Sequence, residues 1–280
     1  RQRQMCIRDR SKYVAAAALS LLTLTVCSCS SDNVAMPDVS DSDGAIRFAA
    51  ATEFSRAGDI TTNNLNSFNV YAYTGTTSAP VIFMDNVTVN KTSSNVWTYS
   101  PLQYWPAKQS VDFYAFAPAT WVGSAGPLEP VAYDASAGTE DIVYAVCPDQ
   151  TGNAGMVNAQ VVFNFRHALS KLTVKMSSTN ANLKVVVSNV AMAHIMTRGN
   201  FNFPTESTAG TPSAQSVGHW TDQNTPSTII LHWSQALSEQ LTLTSTPTVI
   251  AASGLGRGGE MFVMPQTLSY RSHGLGQDNY

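Results

Sequence analysis

Charge is scarce in this sequence. Asp, Glu, Lys and Arg make up 12% of its 280 residues, where about a quarter is usual. The net charge is −3, and from Cys29 onward 11 Lys and Arg face 18 Asp and Glu, so 11 − 18 = −7. Such a balance lacks the basic footprint of a phosphate binder, and no nucleic-acid partner is expected. Cysteine is scarce too, with 4 in the chain. Cys6 and Cys27 lie ahead of Cys29, which leaves Cys147 alone in the body. That excludes a disulfide framework and a Cys-rich metal site. A single interior Cys is usually a small buried hydrophobe.

Catalytic patterns are missing as well. The five His (His167, His194, His219, His232 and His273) form no HExxH and no other short ligand spacing, so neither metal nor cofactor is expected. Gly254-Leu255-Gly256-Arg257-Gly258-Gly259 matches GxGxxG in form. It runs into an extended stretch closed by Pro265 instead of opening a helix, so it reads as a hairpin turn. Ser124 lies in Gly-Ser-Ala-Gly, which is not a GxSxG elbow. Glu140 and Asp141 are adjacent, and adjacent strand residues face opposite ways, so they cannot flank one glycosidic bond. No catalytic constellation is found, and no enzymatic activity is expected.

What is present begins with an export signal. Residues 1–10, RQRQMCIRDR, do not read as a native start and are set aside as a scar. Residues 11–28 read as a signal peptide: Arg10 and Lys12 are the positive flank, and Tyr13 to Val26 is apolar. That run is too short for a bilayer core, which needs about 20 apolar residues as helix. It ends in Val26-Cys27-Ser28-Cys29, which resembles a bacterial lipobox. Val26 and Ser28 fit Cys29 as the lipidated residue, whereas Cys27 would put Val26 in the small position. An ordinary cleaved secretory signal is the other reading. Residues 29–44 are polar and contain Pro37, as expected of a tether.

From Ala45 the chain breaks into short strand-like runs rich in β-branched and aromatic residues. Ser67 to Tyr73, Val81 to Met84, Asn86 to Asn90, Val111 to Ala117 and Asp141 to Val146 are separated by turn residues. After a Gly/Asn-rich stretch from Asp149 to Asn158 come Gln160 to Phe165, Leu169 to Met176, Leu183 to Val187, Thr228 to His232, Leu241 to Leu243, Thr248 to Ala251 and Met261 to Met264. No run has helical period at normal helix length. The expectation is an all-β chain of two β-sandwich domains, 45–158 and 159–280. Trp97, Tyr99, Tyr104, Trp105, Phe113, Tyr114, Phe116 and Trp121 are expected to be core of the first sandwich. If they were exposed they would form a platform for sugars.

Trp97-Thr98-Tyr99-Ser100-Pro101, Tyr104-Trp105-Pro106 and Phe113-Tyr114-Ala115-Phe116-Ala117-Pro118 resemble the fimbrillin family of Bacteroidetes. So, in the same order, do Ile46-Arg47-Phe48, Ser55-Arg56-Ala57, Phe163-x-Phe165-Arg166-His167-Ala168-Leu169-Ser170-Lys171-Leu172, Gly199-x-Phe201-x-Phe203 and Met264-Pro265-Gln266-Thr267. The resemblance implies two tandem transthyretin-like β-sandwich domains, a lipoprotein precursor at the outer membrane and a structural role in a surface pilus. It implies pilin subunits as partners, joined by strand addition, and leaves host or bacterial surface ligands open. An Arg-specific protease would remove the N-terminal strand Ile46-Arg47-Phe48. Arg56 matches the processing arginine best, Arg47 second. The family would continue with strands after Tyr270, where this sequence turns polar, so the C-terminal domain is expected to be truncated. The competing reading is a monomeric surface lipoprotein that binds glycans.

Overall fold

The computed structural model describes residues 44–52, 60–61, 63–76, 78–138, 140–152, 160–180, 182, 184–233, 241–250 and 260–267. All regular structure among them is strand, in agreement with the expected all-β class. In chain order the strands are β1 (Arg47–Thr52), β2 (Ser67–Thr76), β3 (Ala79–Lys91), β4 (Trp97–Thr98), β5 (Val111–Ala117), β6 (Val131–Asp134), β7 (Val143–Gln150) and β8 (Gln160–His167). They continue with β9 (Ser170–Thr173), β10 (Lys175–Met176), β11 (Val186–Val187), β12 (Asn189–Asn202), β13 (His219–Trp233), β14 (Leu241–Thr242), β15 (Thr248–Val249) and β16 (Glu260–Val263).

The main sheet has seven strands in the order β1-β8-β7-β5-β2-β3-β4. Every pairing in it is antiparallel except β1 with β8. Its central strands are buried on both faces, which is why β2, β5 and β7 read as near-continuous apolar runs. Alternation then sorts their side chains into two cores. Phe68, Val70, Phe113, Ala115, Val143, Ala145, Phe163 and Phe165 face one way. Tyr71, Tyr73, Phe116, Tyr144 and Val146 face the other, and pack on Trp121, Phe201, Phe203 and Phe262. A third, smaller cluster of Ile195, Ile229, Ile250, Met261 and Val263 lies beyond.

The main sheet also curls until its ends meet. The residues just before β1 bond to the segment after β4: the Ile46 amide donates to the Gln103 carbonyl at 2.8 Å, and the Trp105 amide to the Gly44 carbonyl at 3.2 Å. Ala45 and Tyr104 form an antiparallel bridge at this seam. The first core is therefore enclosed on nearly all sides.

Three readings need correction. The stretch from Asp149 to Asn158 divides no sheet, because β8 lies between β1 and β7 in the main sheet. β6, from the first half of the chain, pairs instead with β12 of the second. Hydrogen bonding thus crosses the expected boundary in both directions. Residues Val81 to Asn90, read as two runs, form one strand with a bulge at Asn86, whose φ of 50° suits an Asn. The buried Asn69 side chain holds that bulge by donating to Asn86 Oδ1 at 2.8 Å. Finally, β12 and β13 are a long hairpin of 14 and 15 residues, of which sequence alone marked only the end of β13. Pro226 fits within β13 because, among the described residues, that strand is an edge paired only with β12.

Candidate functional site

The candidate site is the slot filled by the first strand. Ile46, Phe48 and Ala50 share a face and are 0%, 3% and 3% exposed. Arg47 between them is half-buried. Phe48 sits among four rings, with centroid distances of 5.2 Å to Tyr99, 5.4 Å to Phe163, 5.8 Å to Phe113 and 6.4 Å to Phe68. Burying side chains of the size of Ile46 and Phe48 contributes about 1.5–3 kcal/mol each.

The segment is held in two consecutive stretches. Arg47 to Thr52 match Gln160 to Phe165 in parallel register. Ahead of them, Gly44 to Ile46 meet Gln103, Tyr104 and Trp105 at the seam. The Tyr99 hydroxyl donates to the Ile46 carbonyl at 2.9 Å and accepts from the Gln103 amide at 3.2 Å. The segment is thus a plug. Without it, an apolar slot and the edge of β8 would face water, a state that favours pairing with another strand.

Of the expected site residues, Ile46, Phe48 and Arg47 come together in this slot. Cys29 and Arg56 lie outside the described residues. Arg56 belongs to the segment between β1 and Ile60. The Ile60 amide donates to Asp141 Oδ2 at 2.8 Å, and His167 Nδ1 meets the same oxygen at 2.9 Å. With a carboxylate as partner, Nδ1 carries the proton. The sequence does not join this pair: His167 stands among five histidines without ligand spacing and inside the Phe163–Leu172 motif, and Asp141 stands beside Glu140 at the start of a strand run. The available signal was an Asp at the entrance of an otherwise apolar run.

The aromatic segment has no sugar platform. Phe113 and Trp121 are buried, and Trp97 and Trp105 are half-buried against the cores. Tyr104 departs from expectation at 55% exposed, because it alternates with Trp105, whose ring packs inward on Phe113 at 5.8 Å. One exposed ring cannot stack an extended glycan. Cys147 is buried, its thiol pushed up to about 12 by burial, and it donates to the Val162 carbonyl at 3.3 Å. A thiol so placed is inert. Among the described residues no three His, Cys, Asp or Glu gather to hold a metal.

The chain matches the family model described as Fimbrillin-like over residues 55–272. No curated protein matches it. Among solved structures it is similar to a fimbrial protein from Bacteroides ovatus, at 12% sequence identity and a TM-score of 0.34, with 71% of this chain and 47% of that chain covered. The chain spans about half the length of that structure. The family match takes in every strand from β2 to β16, with β1 ahead of it, and on that extent the chain belongs to the fimbrillin-like family.

Proposed function

We propose that this chain is a structural subunit or accessory component of a cell-surface pilus, exported as a lipoprotein precursor and assembled by strand exchange. In this reading a protease removes the N-terminal strand, and the emptied slot receives a strand from another subunit. The carrying observation is the slot itself. An apolar plug, bonded at the seam through Gly44–Ile46 and to β8 through Arg47–Thr52, leads directly into the segment that holds Arg56. Main-chain bonds along such a slot supply affinity, and the pockets of Ile46 and Phe48 supply selectivity. Arg56 is the better processing residue, since Arg47 is paired to Gln160 within the sheet and would need the strand to open first. The role is structural and uses no cofactor.

The experiment is to treat purified precursor with an Arg-specific protease and follow polymerisation on denaturing gels. Ladders are expected from the wild type and not from an Arg47→Ala, Arg56→Ala double variant. Equal ladders from both would refute processing at this site.

The anchor is tested separately. Cys29 follows an apolar run that ends in Val-Cys-Ser, and we assign it the lipid. In Cys29→Ala, fractionation of expressing cells should show the precursor unprocessed or released from membranes. Normal maturation and retention would remove the anchor from the proposal.

A further inference from the structure

The chain beyond the processing segment is fastened by groups that owe nothing to β1. Asp141 is 2% exposed and precedes β7. Its Oδ2 accepts from the Ile60 amide at 2.8 Å and from His167 Nδ1 at 2.9 Å. His167 ends β8, and the pairing of β1 with β8 stops at Phe165, two positions short of it. Asp141 belongs to the β7 side, where the Ile142 carbonyl accepts the Ala168 amide at 2.9 Å. All three members of the clasp therefore lie outside β1.

What the clasp holds matters to the slot. Ile60 packs against the first core, and Leu65 is inside it. A local turn joins them: the Leu65 amide donates to the Thr61 carbonyl at 2.8 Å, and the Thr61 amide to Asn64 Oδ1 at 2.6 Å. If Ile60 came loose, the turn would lose its upstream tie, Leu65 would be held by its burial, by the bond of the Lys91 amide to the Asn66 carbonyl at 2.8 Å and by the start of β2, and the core that the slot opens into would lose the part of its wall that Ile60 supplies.

We infer that Asp141 is a positioning residue for strand exchange: by clasping Ile60 to His167 it stops the loss of β1 at Ile60 and keeps the emptied slot in shape to receive a strand. This rests on the strand-exchange reading proposed above. A carboxylate suits the task. A buried acceptor bonded to a backbone amide and an imidazole at once is stronger than a neutral one, and the amide it holds would be stranded in an apolar setting without it.

The test compares full-length precursor with Asp141→Ala by hydrogen exchange, before and after Arg-specific cleavage, and then measures uptake of a labelled synthetic peptide spanning Ala45–Thr52. In the uncleaved chain the Ile60 amide should exchange at least tenfold faster in the variant. After cleavage the wild type should keep protection from Ile60 to Leu65, and the variant should lose it and capture the peptide at least tenfold more slowly. Equal protection and equal capture in the cleaved proteins would overturn the inference. If the wild type resists cleavage or keeps its first strand, the strand-exchange reading fails, while Ile60 exchange in the uncleaved chains still decides the clasp: equal rates there overturn it. If circular dichroism shows that Asp141→Ala does not fold, Asp141→Asn replaces it. It keeps the size and one acceptor, and a gain in Ile60 exchange of several-fold is expected, none being the overturning result.

Discussion

Replacing Phe48 by alanine should lower the unfolding free energy of the precursor by about 3–5 kcal/mol, the range for deleting a fully buried ring from a core. Phe48 is 3% exposed and lies within 6.4 Å, centroid to centroid, of Phe68, Tyr99, Phe113 and Phe163. Those rings belong to β2, the seam, β5 and β8, four parts of one curled sheet, so they cannot all move to close the void. The loss is large against a typical total of about 5–15 kcal/mol. For a chain of this size it corresponds to a fall in Tm on the order of 10 °C. Urea unfolding followed by tryptophan fluorescence gives the measurement. A change below about 1 kcal/mol would mean that the pocket collapses freely, and the slot would lose its claim to selectivity. The same variant should release β1 more readily, seen as faster hydrogen exchange in Arg47–Thr52.

A comparable effect is expected at Arg166, on the opposite face of β8. This cation is 6% exposed. Its Nη1 donates to the Ser216 carbonyl at 2.9 Å and to Ser216 Oγ at 3.2 Å, and its Nη2 donates to the Gly210 carbonyl at 3.0 Å. The guanidinium thereby staples residues 204–218 onto the main sheet. Two further ties act nearby. The Thr208 amide donates to the Val146 carbonyl at 3.0 Å, and the Gly218 amide to the Tyr144 hydroxyl at 2.8 Å. Arg166→Met keeps most of the volume and strands the acceptors. Hydrogen bonds from a charged group contribute about 1.5–3 kcal/mol each and are not additive, so a total loss of about 2–4 kcal/mol is expected. Glu206 is exposed within the stapled stretch. A Glu-specific protease should therefore cut the variant there well before the wild type, and equal cutting rates would show that the other ties suffice.

Much of the main sheet was legible because its strands obey the simplest pattern. Phe68-Asn69-Val70-Tyr71 and Phe113-Tyr114-Ala115-Phe116 are short, apolar on both faces and bounded by turn residues. Ile46 and Phe48 were legible as a pair with one inward face. Their parallel partner was not, because nothing in a strand names the distant strand it meets. β12 and β13 were hidden by their composition. Thr221 to Pro226 reads as loop, and only an edge position with positive φ at Asp222 and Thr225 makes it strand. Asp141 with His167 left no more than an Asp at the entrance of an apolar run, and the partners of Arg166 in the 204–218 segment left nothing. Each is a buried polar contact between residues 26 or more positions apart, and such contacts leave no periodic trace.

The parallel match of β1 with β8 has a kinetic meaning. Arg47 pairs with Gln160, a separation of 160 − 47 = 113 residues, whereas β2 pairs with β3 across a short turn. Closing a loop of that length carries an entropic cost that local hairpins escape, and long-range pairs form slowly. β8 must be synthesised before β1 has its edge to join, so β1, made 113 residues earlier, is among the last of the described strands to settle. A contact absent from the folding transition state speeds unfolding when it is weakened and leaves folding almost unchanged. Changes in β1 should therefore alter how long the precursor stays closed far more than how fast it forms, which lets the lifetime of the closed form be tuned by a few residues of one strand.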